Sequence, residues 1–94
     1  MALSIALYGY DTDIGKLIIE TLEEQDLEFS EFFPLSPLNG EYDAVQIKRQ
    51  NYFVEPINKF DFSRADLALF ISTADESSMW VKKAQEAGCI VIDN

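Results

Sequence analysis

Four short runs in the chain are apolar at consecutive positions, and one longer stretch repeats its apolar residues at helical spacing. Ser4-Ile5-Ala6-Leu7-Tyr8 stops at Gly9 and reads as a buried strand. Ile14, Leu17, Ile18 and Leu22 then recur with Lys16, Glu20, Glu23 and Glu24 on the opposite side, which predicts an amphipathic helix of about eleven residues. Phe32-Phe33-Pro34-Leu35 predicts a second strand, its length confined by prolines at 34 and 37. Pro37-Leu38-Asn39-Gly40 has turn chemistry. Ala44–Ile47 and Tyr52–Glu55 predict a hairpin closed across Lys48–Asn51. Leu67-Ala68-Leu69-Phe70-Ile71 is apolar on both faces, as a central strand in a covered sheet must be. Thr73 with Glu76 forms a capping box for a helix that runs to Ala87, and Gly88 ends it. Cys89-Ile90-Val91-Ile92 is a last doubly apolar strand.

Strand–helix–strand at both ends implies right-handed crossovers and a mainly parallel sheet, so the fold class is α/β. Two helices cannot cover both faces of a five- or six-stranded sheet, and one face is expected to be under-covered. Seven Phe, four Tyr and one Trp supply most of the bulk for the core. Some of Phe29, Phe32, Phe33, Tyr52, Phe53, Phe60 and Phe62, with Met79 and Trp80, are expected on that open face. A protein partner or a homo-oligomer would bury them there.

Composition narrows the function. Ninety-four residues make a single domain with one modest core. A net charge of -10 repels nucleic acid and anionic lipid alike. The absence of histidine excludes His-based triads and His-ligated metals, and one cysteine excludes disulfides and Cys-cluster metal sites. No apolar run approaches the ~20 residues of a membrane span, and no basic-then-apolar signal opens the chain. The expectation is a cytoplasmic protein with no nucleic acid and no membrane as partner.

Individual residues carry little catalytic promise. Asp11 or Asp13 suits the N-cap of the first helix. As a pair they offer too few oxygens for a hard cation and no partner for acid–base work. Cys89 sits in an apolar run that raises a thiol's pKa, the setting of a buried structural cysteine. No catalytic residue and no metal site are expected. Acids after the first strand also occur in receiver-like signalling domains, but here the central strand ends in Ser72-Thr73 and no lysine follows the last strand.

Three pieces, in order, resemble the N-terminal domain of the aspartate-semialdehyde dehydrogenase family. They are Ile5-Ala6-Leu7-Tyr8-Gly9 through Ile14-Gly15, Ala65-Asp66-Leu67-Ala68-Leu69-Phe70, and Glu86-Ala87-Gly88-Cys89-Ile90-Val91-Ile92-Asp93-Asn94. The resemblance implies a Rossmann-like dinucleotide-binding domain that takes NADP in the family. It places cofactor contacts at Gly9, Thr12, Asp13, Ile14 and Gly15, and at Ser72 and Thr73 where the central strand ends. Family members continue into a second domain with the catalytic cysteine and histidine, so Cys89 is not that cysteine. Residues 1–94 are expected to be one such N-terminal domain, either part of a longer protein or a naturally short relative.

The cofactor positions are altered in chemistry. A dinucleotide loop uses glycines so that backbone N–H groups reach the pyrophosphate, and the family pattern is Gly-x-x-Gly-x-x-Gly. Here Gly9-Tyr10-Asp11-Thr12-Asp13-Ile14-Gly15 keeps the first and third glycines and puts Thr12 at the middle one. Asp11 and Asp13 bring carboxylates to a polyanion, worth up to about 4 kcal/mol of repulsion at 4 Å near a surface. Even half of that costs more than about tenfold in affinity. The family's 2′-phosphate arginine corresponds to Pro37, and no base lies between Lys16 and Lys48. The expected function is therefore a non-catalytic, dehydrogenase-like domain that binds no cofactor and acts through protein contacts. The alternative is the cofactor domain of a working NAD- or NADP-dependent semialdehyde dehydrogenase.

Overall fold

A computed structural model describes residues 3–24, 29–37, 43–71 and 74–93, and of residues 74–77 the backbone alone. Along the chain come β1 (Leu3–Tyr8), α1 (Asp13–Glu24), β2 (Phe29–Ser36), β3 (Ala44–Ile47), β4 (Gln50–Phe53) and β5 (Glu55–Pro56). Two 3-10 turns, Ile57–Lys59 and Phe62–Arg64, lead to β6 (Leu67–Phe70), α2 (Ala74–Glu86) and β7 (Ile90–Asp93). Five strands pair in parallel in the order β5-β2-β1-β6-β7, and β3 with β4 forms a separate antiparallel hairpin. From β1 the chain steps outward through α1 to β2, whereas from β6 it steps the other way through α2 to β7. Right-handed crossovers in opposite directions put the two helices on opposite faces. This is the α/β, Rossmann-like fold expected from the sequence.

The pleat divides the core. Ala6, Tyr8, Phe33, Leu35, Ala68 and Phe70 pack with Phe60, Phe62, Ala84 and Cys89 under α2 and the 3-10 turns. Ile5, Leu7 and Phe32 pack with Leu22, Val45, Ile47 and Ile71 under α1 and the hairpin. Aromatic rings serve both halves. Phe60 lies 5.1 Å from Phe33 and 5.1 Å from Phe62. On the other face Tyr52 packs edge-on to Phe32 at 5.7 Å, so the hairpin covers β2 where α1 does not reach. Arg64 lies over the Phe33 ring at 4.6 Å while it pairs with Glu55 at 3.0 Å.

Several elements differ from expectation. The buried face of α1 is Gly15, Ile18, Ile19 and Leu22, and Ile14 and Leu17 stay 47% and 61% exposed. Sequence spacing cannot fix the rotation of a helix with five aliphatic residues; close contact at Gly15 does. β2 extends over eight residues with Pro34 inside it. Proline is accepted because β5 pairs with β2 only at Leu35 and Ser36, leaving the outer edge open at Pro34 among the described residues. The hairpin turn is Lys48-Arg49 alone, with Ile47 opposite Gln50 and positive φ values of 51° and 70°. The predicted Tyr52–Glu55 strand divides after Phe53, and Glu55–Pro56 joins the main sheet. β7 is an edge strand whose Ile90 and Ile92 are open, so only its other face is covered.

The end of α2 follows the sequence. Gly88 takes a φ of 95°, its N–H donates to the Gln85 carbonyl at 3.1 Å, and the Cys89 N–H donates to the Ala84 carbonyl at 3.0 Å. These are the paired bonds of a Schellman ending, which turns the chain into β7. Thr73 of the predicted capping box lies outside the described residues. Among the described residues no helix is long and apolar enough to cross a membrane.

Candidate functional site at the strand-order reversal

In an open parallel sheet, ligands lodge beyond the carboxyl ends of the strands where the strand order reverses. Here that point lies between β1 and β6, capped by the turn from Gly9 to Asp13. Gly9 has a φ of 95°, and a Cβ on it would overlap the Ile71 carbonyl oxygen. The contact is fixed by the Ile71 N–H, which donates to the Tyr8 carbonyl at 2.9 Å. A Cβ on Gly15 would run into the Gly9 carbonyl oxygen. Both glycines are therefore required by the turn itself, which brings the first turn of α1 down onto β1.

Thr12 is the N-cap of α1, in place of the expected Asp11 or Asp13. Its Oγ1 accepts from the Gly15 N–H at 3.0 Å and donates to the Gly9 carbonyl at 2.6 Å. Its own N–H donates to the same carbonyl at 3.1 Å, and its carbonyl accepts the first helical bond from Lys16 at 2.8 Å. A threonine hydroxyl can give and accept at once, which a carboxylate cannot, and this doubly bonded position selects it. Asp11 and Asp13 are left exposed on either side. The N–H groups of Asp13 and Ile14 make no hydrogen bond among the described residues. Such a pair at a helix N-terminus can receive an oxyanion, while the flanking carboxylates oppose one.

Around this turn, the Tyr10 hydroxyl donates to Asp43 Oδ2 at 3.2 Å and ties the turn to the hairpin. Pro37 is exposed beyond the end of β2. Ser36, one residue earlier, is only 4% exposed, and its Oγ has no hydrogen-bond partner among the described residues. That orphan hydroxyl was not singled out in the sequence; a serine closing an apolar strand gives no sign of whether it will be met. Lys16 lines an open cleft of about 550 Å³ with Ile19, Glu20, Glu23, Gln46 and Arg49. The structure thus brings Gly9, Thr12, Asp13, Ile14 and Gly15 together. Ser72 and Thr73, with Leu38-Asn39-Gly40, lie outside the described residues.

Cys89 takes no part in this site. It is buried behind the sheet, and its Sγ donates to the carbonyls of Phe62 and Ala65 at 3.0 and 3.2 Å. Burial, with a smaller push from the Asp66 carboxylate, raises the thiol above its ordinary range. No three acidic or thiol side chains gather as a metal site would require among the described residues.

A parallel sheet whose order reverses beside a glycine turn and the first crossover helix defines the dinucleotide-binding class of α/β domains. Within that class the chain belongs to the semialdehyde dehydrogenase family, whose NAD binding domain matches residues 4–94. It is similar to the aspartate-semialdehyde dehydrogenase of Legionella pneumophila, 33% identical over 92 residues that cover 98% of this chain and 26% of that protein. The enzyme of Shewanella sp. (strain DB6705) is 30% identical over 91 residues, covering 97% of this chain and 27% of the relative. The crystal structure of aspartate semialdehyde dehydrogenase II from Vibrio cholerae, complexed with ASA, matches with a TM-score of 0.92 at 29% identity. That match covers 100% of this chain and 31% of the other. The chain spans about a quarter of the length of these curated relatives.

Proposed function

We propose that this domain keeps the dehydrogenase dinucleotide fold without its dinucleotide affinity, performs no catalysis itself, and acts through protein contacts. The observation that carries this reading is the entrance to α1. Thr12 closes the turn with its own hydrogen bonds where the family pattern has bare glycine, and Asp11 and Asp13 present carboxylates to any incoming phosphate. Lys16, the single base of this acidic segment, faces the cleft on the hairpin side. Residues that would hold a pyrophosphate are thus a poor fit for one.

A second reading, the cofactor domain of a working NAD- or NADP-dependent semialdehyde dehydrogenase, is favoured by Ser36. A buried hydroxyl unpartnered among the described residues costs about 1–3 kcal/mol, which a ligand oxygen at the end of β2 would offset. Calorimetric titration with NADPH, at low and then physiological salt, separates the two. The first reading expects no heat up to millimolar NADPH from a chain whose circular dichroism shows it folded. Micromolar binding would sink it and support the second.

A further inference from the structure

The cleft between α1 and the hairpin collects charges of both signs that do not neutralise one another. It holds about 550 Å³, with Lys16, Ile19, Glu20 and Glu23 lining it from α1 and Gln46 and Arg49 from the hairpin. Lys16 and Glu20 stand one helical turn apart, the spacing at which opposite charges on an exposed helix ordinarily meet. Yet among the described residues neither Lys16 nor Arg49 forms an ion pair, and the Glu20 carboxylate has no partner. Glu23 is half engaged. Its Oε2 accepts the Lys48 N–H at 2.6 Å, which pins the hairpin turn against the last turn of α1. The turn itself is a second observation. Lys48 and Arg49 hold φ values of 51° and 70°, a conformation in which asparagine or glycine would rest far more readily. An arginine held in so unfavourable a conformation, on the wall of a cleft, marks a position kept for what its side chain does.

The signs of charge select the ligand. A simple anion would meet Glu20, Glu23 and the field of a chain of net charge -10. A simple cation would be drawn by that field but set against Lys16 and Arg49. A zwitterion satisfies both pairs and, being neutral overall, is indifferent to the net charge. Ile19, half-buried, adds an apolar wall for a short aliphatic side chain. The volume falls within the ~300–1,000 Å³ of small-molecule sites. We infer that this cleft binds a zwitterionic amino acid with an aliphatic side chain. Arg49, with its planar fork, and Lys16 receive the carboxylate, and Glu20 receives the ammonium group. Glu23 is a positioning residue, holding the turn that presents Arg49. The inference goes beyond the proposed function and does not depend on it, because it concerns neither the glycine turn nor a protein contact.

The test is an NMR titration of the isotope-labelled chain with L-leucine, beside isopentylamine and isocaproate, which each lack one of its two charges. Leucine should bind at about millimolar affinity or tighter, a modest demand on a ligand of about nine non-hydrogen atoms. Its shifts should centre on the backbone amides of Glu20, Gln46 and Arg49. Each single-charge analogue should bind at least about tenfold more weakly, because it leaves one pair of side chains unmet. Arg49→Gly suits the positive φ, so folding should persist by circular dichroism while leucine affinity falls at least about tenfold. Glu20→Gln, at an exposed helix position, should lower affinity likewise without loss of fold. No shift at roughly ten-millimolar leucine would overturn the assignment. Equal binding of the amine would make this a cation site, and equal binding of the carboxylate an anion site; either overturns a zwitterion. Undiminished binding in both variants would place leucine elsewhere on the chain and overturn it too.

Discussion

At the scale of single residues, the same substitution has opposite effects depending on what the turn needs. Glycine inside a helix ordinarily costs about 1 kcal/mol relative to alanine. At Gly15 the sign reverses, because a methyl would meet the Gly9 carbonyl. Gly15→Ala should therefore destabilise by about 2–3 kcal/mol, read as a lower urea midpoint. Thr12→Ala should cost about 1 kcal/mol through the lost cap, whereas Thr12→Gly should cost only about a few tenths. Thr12→Gly also bares the backbone, and NADPH affinity in that variant measures how much of the exclusion belongs to Thr12 and how much to the carboxylates. Cys89 gives an alkaline signature. Its folded pKa is raised, so stability is constant below the unfolded thiol value of about 8.5 and falls as pH rises through the folded value. Urea midpoints from pH 7 to 10 should show that slope, and Cys89→Ala should remove it.

Elements were set by how they end and what they rest on. The chain leaves α2 through Gly88 in a conformation that suits glycine, so that boundary could be read from the sequence alone. The hairpin offers no such sign. Lys48 and Arg49 both sit at positive φ, a turn that asparagine and glycine occupy far more readily. The Lys48 N–H is held by Glu23 Oε2 at 2.6 Å, and Tyr52 rests on Phe29 and Phe32, so tertiary contacts impose the turn on unfavourable residues. Combining Lys48→Asn with Arg49→Gly should raise stability by about 1 kcal/mol with no change in the slope of the urea transition. A fall would mean that the two side chains contribute more than the backbone strain they carry.

For the whole molecule, charge and coverage are the two quantities that matter. A net charge of -10 on a domain this small works against compaction through self-repulsion. Salt shortens the screening length to about 10 Å at 0.1 M, so the urea midpoint should rise between about 10 mM and 0.3 M sodium chloride. A flat response would show that the acids are already balanced within the fold. Coverage is uneven: α2 and the 3-10 turns close one face, whereas α1 and the hairpin close the other fully at β1, half-cover Leu67 and Leu69 of β6, and leave Ile90 and Ile92 exposed. The open part was expected to be aromatic. It is aliphatic instead, because the rings of Phe32, Phe33, Phe60, Phe62 and Phe70 all fill the interior and only Phe53 among the phenylalanines stands well exposed.

What the sequence determined by itself was everything carried by local backbone chemistry and by runs of apolar residues. Those are the order of the main strands and helices, the parallel α/β class, the glycines at 9, 15 and 88, and the family. Each follows from a few neighbouring residues, because period, φ and capping act over three or four positions. Tertiary structure decided the rest. It chose Thr12 over its acidic neighbours as the cap, since only the arrival of Gly9 beside the helix gives the hydroxyl both an acceptor and a donor. It rotated α1 onto Gly15 and, among the described residues, left Ser36 without a partner and Ile90 and Ile92 of β7 exposed. An apolar pattern states that a side chain would gain by burial; whether anything arrives to bury it depends on which elements the fold places alongside.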